Sequence, residues 1–240
     1  MIESKALLYK VNSKLILDQI DFKINSGQFI VVVGENGSGK TTLLQMLMGI
    51  IEPTSGSVTI WDHEPYRDPY KDRDTIGYIS EKISPPMDWS IGDFLEFNRT
   101  FYSNYSQTLE TELMKDLRLQ NDWKISQLSA GQTRRIQVVG ALSAQPKLLF
   151  IDEITAVLDI VGRAKFMKAL EKLRRENGTT VVMATNILDD VDSYATEVIL
   201  LHQGKLLKHS SKSDLIAEYS KQNLTETLAY LIEKSEGYSP

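Results

Sequence analysis

Short apolar runs punctuate the first third of the chain, and the period of each run predicts the element it builds. Ala6-Leu7-Leu8-Tyr9, Leu15-Ile16-Leu17 and the alternating Ile20, Phe22 and Ile24 are separated by Asn12-Ser13 and Asn25-Ser26-Gly27, the pattern of antiparallel strands joined by turns. Phe29-Ile30-Val31-Val32-Val33 is apolar throughout, and a helix-forming run, Thr42 to Met48, follows it closely. Pro53-Thr54-Ser55-Gly56 predicts a turn, and residues 58–60 and 76–79 predict short strands. The period then changes. From residue 91 to 119 the spacing of Phe94, Leu95, Phe97, Phe101, Leu109, Leu113, Met114 and Leu117 is helical, with a polar break at Ser103-Asn104-Tyr105-Ser106, so two or three helices are inserted there. Beyond residue 130 helices alternate with apolar strands at 148–151, 180–184 and 198–201, the signature of a largely parallel sheet. Residues 212–236 predict a helical tail.

Composition narrows the class. With 42% apolar and 25% charged residues in a chain of 240, this is ordinary for a globular protein with a substantial core. No apolar run approaches the roughly 20 residues that span a bilayer, and no charged start leads into an apolar core with a cleavage site, so a cytoplasmic chain is expected. The absence of cysteine excludes disulfides, thiolate metal sites and cysteine nucleophiles. A net charge of -5 provides no general pull toward nucleic acid or anionic lipid. His63, His202 and His209 lack metal-ligand spacing. Trp61, Trp89 and Trp123 read as packing residues. The mixed-charge run 165–175 reads as a solvated helix whose apolar stripe is Phe166, Met167, Leu170 and Leu173.

Three segments carry chemistry. Gly34-Glu35-Asn36-Gly37-Ser38-Gly39-Lys40-Thr41, with Thr42 after it, is a G-x-x-x-x-G-K-[ST] phosphate loop in a strand-to-helix context. Its glycines allow a tight turn that aims N–H groups at phosphate oxygens, the helix start adds a positive dipole end, Lys40 would reach the terminal phosphates and Thr41 would ligate Mg²⁺. A glycine-rich turn without ligand is the plainer alternative. At Leu128-Ser129-Ala130-Gly131-Gln132, Ser129 is placed to cap a helix whose first amides Ala130 and Gly131 leave uncovered, a weak signal alone. The apolar run 148–151 ends in Asp152-Glu153; an acid at a strand's C-terminal edge suits Mg²⁺, and the next carboxylate suits a base acting on water, against the plainer reading of a solvated strand end.

Together, in this order and spacing, these segments resemble the nucleotide-binding subunit of an ATP-binding cassette (ABC) transporter from about residue 5 to about 210. The resemblance implies an α/β fold: a P-loop NTPase core with a mostly parallel sheet, an N-terminal antiparallel β subdomain and an inserted helical subdomain at about 88–135, to which the pattern adds the C-terminal helical tail at about 212–240. It makes the phosphate loop Walker A, Leu128 to Gln132 the LSGGQ signature with Ala130 for one glycine, residues 148–152 Walker B, Glu153 the catalytic carboxylate and Leu158-Asp159 the D-loop. It implies ATP and Mg²⁺ as cofactors, and a head-to-tail pair with a second ATP-binding subunit in which Ser129 of one contacts the γ-phosphate held by Lys40 of the other.

Four departures stand out. Glu81 replaces the usual Gln as an approach to Mg²⁺, Ile154 and Val157 replace the usual D-loop proline and small residue, and Asn186 replaces the switch histidine. The adenine-stacking aromatic would align near Val11, which leaves Tyr9 as the candidate. The expected function is an ATPase, slowed by Asn186, that powers a separate membrane-spanning permease from the inner face of the cell membrane. The segment 87–105 resembles subunits of exporter-type permeases. The alternatives are an ATP-dependent dimerisation switch with little hydrolysis, and a soluble non-transport ABC protein; nucleic acid is not an expected partner.

Overall fold

The computed structural model describes residues 1–80, 84–153, 160–186 and 192–235. Contacts divide the chain into two units, residues 1–71 with 183–240, and residues 72–182.

In the first unit, β1 (Ile2–Val11) and β2 (Lys14–Ile24) form a hairpin whose turn residues, Asn12 and Ser13, both have positive φ, as two-residue hairpin turns require. The helix α1 (Lys40–Leu47) follows β3 (Phe29–Val33) through the glycine-rich loop. Next, β4 (Ser55–Ile60) joins the free side of β1, giving an antiparallel sheet of order β2-β1-β4. The predicted turn at 53–56 is therefore partly strand. Gly56 makes this possible, because a Cβ there would lie 2.2 Å from the Ala6 carbonyl oxygen where β1 is bulged.

All five residues of β3 are buried, and β3 pairs in parallel with β8 (Glu197–His202). β8 turns back into β9 (Lys205–Ser211), an antiparallel strand that the sequence pattern does not predict, since its half-buried residues show no alternation. The predicted tail is two helices, α6 (Lys212–Tyr219) and α7 (Leu224–Ser235). Ser220 ends α6 in the left-handed region, and the Asn223 side chain then accepts from the Glu226 N–H at 2.9 Å to start α7.

In the second unit, β5 (Ile76–Ser80) and β6 (Leu148–Asp152) run parallel, in register from Ile76 opposite Leu148 to Ser80 opposite Asp152. The helical insertion is α2 (Ile91–Phe101) and α3 (Gln107–Asp116), followed by α4 (Ala130–Ser143). Ser90 and Ser106 cap α2 and α3 with their hydroxyls, which explains why the polar break at 103–106 separates two helices. Their apolar faces close on one cluster, Ile91, Leu95, Met114, Leu119, Ile125, Ile136 and Val139, with Trp89 and Trp123 packed against it as expected of packing aromatics. Beside it the buried Glu110 accepts from Arg99 Nη2 at 2.6 Å and from the Tyr105 hydroxyl at 2.7 Å, joining α2 to α3. The helix α5 (Ile160–Asn177) buries the predicted stripe of Phe166, Met167, Leu170 and Leu173. The wholly buried β7 (Thr180–Thr185) leads the chain out of this unit. No helix among the described residues is long and apolar enough to cross a membrane.

Candidate functional site

The phosphate loop takes the form its glycines allow. Gly34, Gly37 and Gly39 have φ of 155°, 83° and 103°, and a Cβ on Gly39 would lie 2.6 Å from Leu17 Cδ2. Only glycine fits the last of these without strain. Gly39 also precedes α1 with no side-chain cap, and no acidic residue stands in the first turn, so the helix start keeps its exposed dipole for an external anion. The Lys40 side chain, nearly buried, folds back along the loop and donates to the carbonyls of Gly34 at 2.8 Å and Glu35 at 3.0 Å. Ser38 Oγ is buried and has no hydrogen-bond partner among the described residues. A buried hydroxyl of this kind asks for an acceptor or donor from outside the chain. The loop thus fits a phosphate group: an open helix start, one cation and an orphaned hydroxyl, with Glu35, Asn36 and Gly37 exposed at the rim and Thr41 and Thr42 half-buried behind.

The signature segment occupies the start of α4. Ser129 is its N-cap: the hydroxyl accepts from the Gln132 N–H at 3.2 Å, while the Gln132 side chain accepts from the Ser129 N–H at 2.9 Å. This reciprocal capping box fixes the helix start. Ser129 and Ala130 are exposed, and Gly131 follows half-buried.

Asp152 ends β6, 3% exposed, while Glu153 follows with φ of 52°. Burial pushes the nearby Tyr78 hydroxyl above the usual phenol range, and the negative charge of Asp152 adds to that shift. The acidic pair is therefore not a solvated strand end, because its first member is enclosed. A buried carboxylate at a strand terminus fits a magnesium ligand. Asn186 follows β7 directly and is exposed. Tyr9 lies half-buried opposite Leu17 in the hairpin, two positions before the exposed Val11. Glu81 and Asp159 lie outside the described residues.

Sequence reasoning missed one group near these segments. Arg134 is buried in α4, and its Nη1 donates to the Ser80 carbonyl at 2.8 Å and to Gln137 Oε1 at 2.9 Å. No local signal announces a contact between residues 54 positions apart.

Comparison with known proteins gives these parts a common setting. The ABC transporter family model matches residues 17–156, more than half of the chain. The energy-coupling factor transporter ATP-binding protein EcfA2 of Latilactobacillus sakei is 32% identical, the match covering 92% of this chain and 83% of that protein. A solved ATP-binding subunit of an ABC transporter superposes with a TM-score of 0.88 over 97% of this chain and 99% of its own, at 21% identity, which speaks for the fold. The ATP-binding cassette MJ0796, solved as a dimer in a post-hydrolysis state bound to ADP and Pi, has a TM-score of 0.75 at 26% identity, covering 88% of this chain and 98% of its own. The chain belongs to the ABC transporter family, has its P-loop NTPase fold and is an ATPase of that family.

Proposed function

We propose that the chain is the ATP-hydrolysing subunit that drives a separate membrane permease, working as one of a pair of cassettes held peripherally on the inner membrane face. The observation that carries the nucleotide part is the phosphate loop, with its uncapped helix start and the orphaned Ser38 hydroxyl. Gly34 to Thr42 would wrap the phosphates, and Lys40 would leave the Gly34 and Glu35 carbonyls to meet them. Thr41 and Asp152, with Glu81, would hold Mg²⁺, which when bound neutralises phosphate charge. Glu153 would take the proton of the attacking water, and Ser129 to Gln132, the first two of them exposed, would with Asp159 face the partner cassette's nucleotide. Tyr9 would rest against the base, and Asn186 would donate to the γ-phosphate.

The permease part is supported by a groove of about 310 Å³ in the second unit, lined by Tyr78, Pro85, Pro86, Trp89, Phe97 and Tyr102. Phe97 in its lining stands more than half exposed, as does Met87, which follows the lining residue Pro86 in sequence, and exposed apolar groups in one place mark a docking surface. Export is the direction drawn from the segment 87–105. The name of the relative, an energy-coupling factor subunit, favours a second reading, an energy-coupling assembly; the permease that co-purifies from membranes decides between them.

Replacing Glu153 with Gln tests the hydrolytic reading. ATP binding should persist, phosphate release should fall by 10² or more, about the scale of a lost general base, and an ATP-dependent dimer should appear on size exclusion. Hydrolysis at the parent rate would remove Glu153 from the role of base. A parent protein that binds ATP tightly without steady-state phosphate release would turn the reading to a dimerisation switch.

A further inference from the structure

We propose that Arg134 is a positioning residue that braces the strand end bearing Asp152 against the helix headed by Ser129. The inference rests on the reading of Asp152 as a magnesium-side carboxylate. Arg134 lies one turn into α4 and is 7% exposed. Its Nη1 donates at 2.8 Å to the carbonyl of Ser80, the last residue of β5, and at 2.9 Å to Gln137 Oε1, one turn further along α4. Ser80 stands in register directly opposite Asp152 in the β5–β6 pair. One guanidinium therefore connects the signature helix, through a single carbonyl, to the rung of the sheet that carries the buried acid.

The strength of this link follows from its chemistry. A hydrogen bond from a charged donor is about twice as strong as a neutral one, and a buried guanidinium that lost its acceptors would be costly, so helix and strand end hold each other in place. Arg suits the task because the two N–H bonds of its planar Nη1 group point at two acceptors at fixed angles, whereas Lys presents a point charge. Groups one layer behind a metal ligand typically govern metal affinity through the ligand's orientation.

The test uses the full chain with Mn²⁺ as the probe metal, read by electron paramagnetic resonance with a non-hydrolysable ATP analogue. Arg134→Met, of similar length and without charge, should weaken Mn²⁺ binding about 10-fold and leave metal-free nucleotide affinity unchanged. Amides of residues 76–80 should exchange faster with deuterium, and Arg134→Lys, which keeps the charge but not the fixed donor geometry, should recover only part of both effects. Should Arg134→Met fail to fold, Gln137→Met removes one acceptor while sparing the Ser80 bond, and about a threefold loss is expected, below the usual range for such groups. Parent Mn²⁺ affinity and parent exchange in whichever of these variants folds overturn the brace. Asp152→Asn keeps the two readings apart: unchanged Mn²⁺ affinity there removes Asp152 from the metal, while the exchange of residues 76–80 in Arg134→Met still reports on the brace.

Discussion

Glu153 is held at φ 52°, left-handed backbone that costs a non-glycine residue about 1–3 kcal/mol and persists where the surroundings fix it. Such strain gathers at functional positions, and here it falls on the residue next to the enclosed Asp152. Asn186, also just past a buried strand, is the other residue on which rate should depend. Its amide donates a hydrogen bond but carries no charge, whereas an imidazole can be cationic near neutral pH. Asn186→His should raise kcat, by less than the 10² or so typical of adding a full transition-state donor, with ATP affinity unchanged; steady-state phosphate release at saturating nucleotide measures this. A third residue sets the response to acid. His209 packs edge-on against Phe22, with Nε2 3.6 Å from Glu197. Burial pushes its pKa below the ordinary imidazole value, and the Glu197 charge opposes that shift only in part. The unfolded chain then takes up its proton near about pH 6.5, before the folded chain does, so between those two pKa values the unfolded state binds more protons. Stability therefore rises with pH through this window and is lost as pH falls through it. The urea midpoint should drop between about pH 7.5 and 5.5, and His209→Phe should flatten that slope.

At the scale of elements, polar groups join the apolar cluster in holding the helical insertion together. Glu110, 6% exposed in its side chain, binds Arg99 and Tyr105 together. Glu110→Ala leaves a half-buried phenol without this acceptor and a quarter-exposed guanidinium with Glu96 alone, and the loss should be about 3 kcal/mol, the low end for a broken buried pair because Arg99 retains Glu96 and water. A thermal melt followed by circular dichroism checks this. These elements were legible to different degrees, for physical reasons. Capped and periodic segments could be read from sequence: Ser129 announces α4, and the helical spacing over 91–119 with its polar break at 103–106 announces α2 and α3. The phosphate loop and the acids at the end of β6 were equally plain, because glycine and apolar runs leave few other conformations. β9 escaped notice because an edge strand with half-buried residues has no pattern to show, and the break at Ser220 because a serine in left-handed backbone looks like any other serine. The Arg134 contact was invisible in principle, being set by tertiary packing alone.

At the scale of the molecule, the first unit is discontinuous in sequence, built from residues 1–71 and residues after 182. The phosphate loop leans on the later of these segments. Gly34 lies so close to β8 that a Cβ would sit 2.2 Å from the Leu201 carbonyl oxygen. Gly204 links both sides: its N–H donates to the Ser38 carbonyl at 3.2 Å, and its own carbonyl accepts from the Asp18 N–H at 2.8 Å. This arrangement dictates a timetable for biosynthesis. Residues 34–42 leave the ribosome early, yet the wall behind them does not exist until Gly204 has been added, and domains fold as units. Released chains that end at residue 190 should retain no more ATP than a full-length Lys40→Ala chain, whereas released chains that run through residue 235 should retain it. On this reading nucleotide loading should follow the addition of Leu201 and Gly204, and a fragment that ends before them should stay empty.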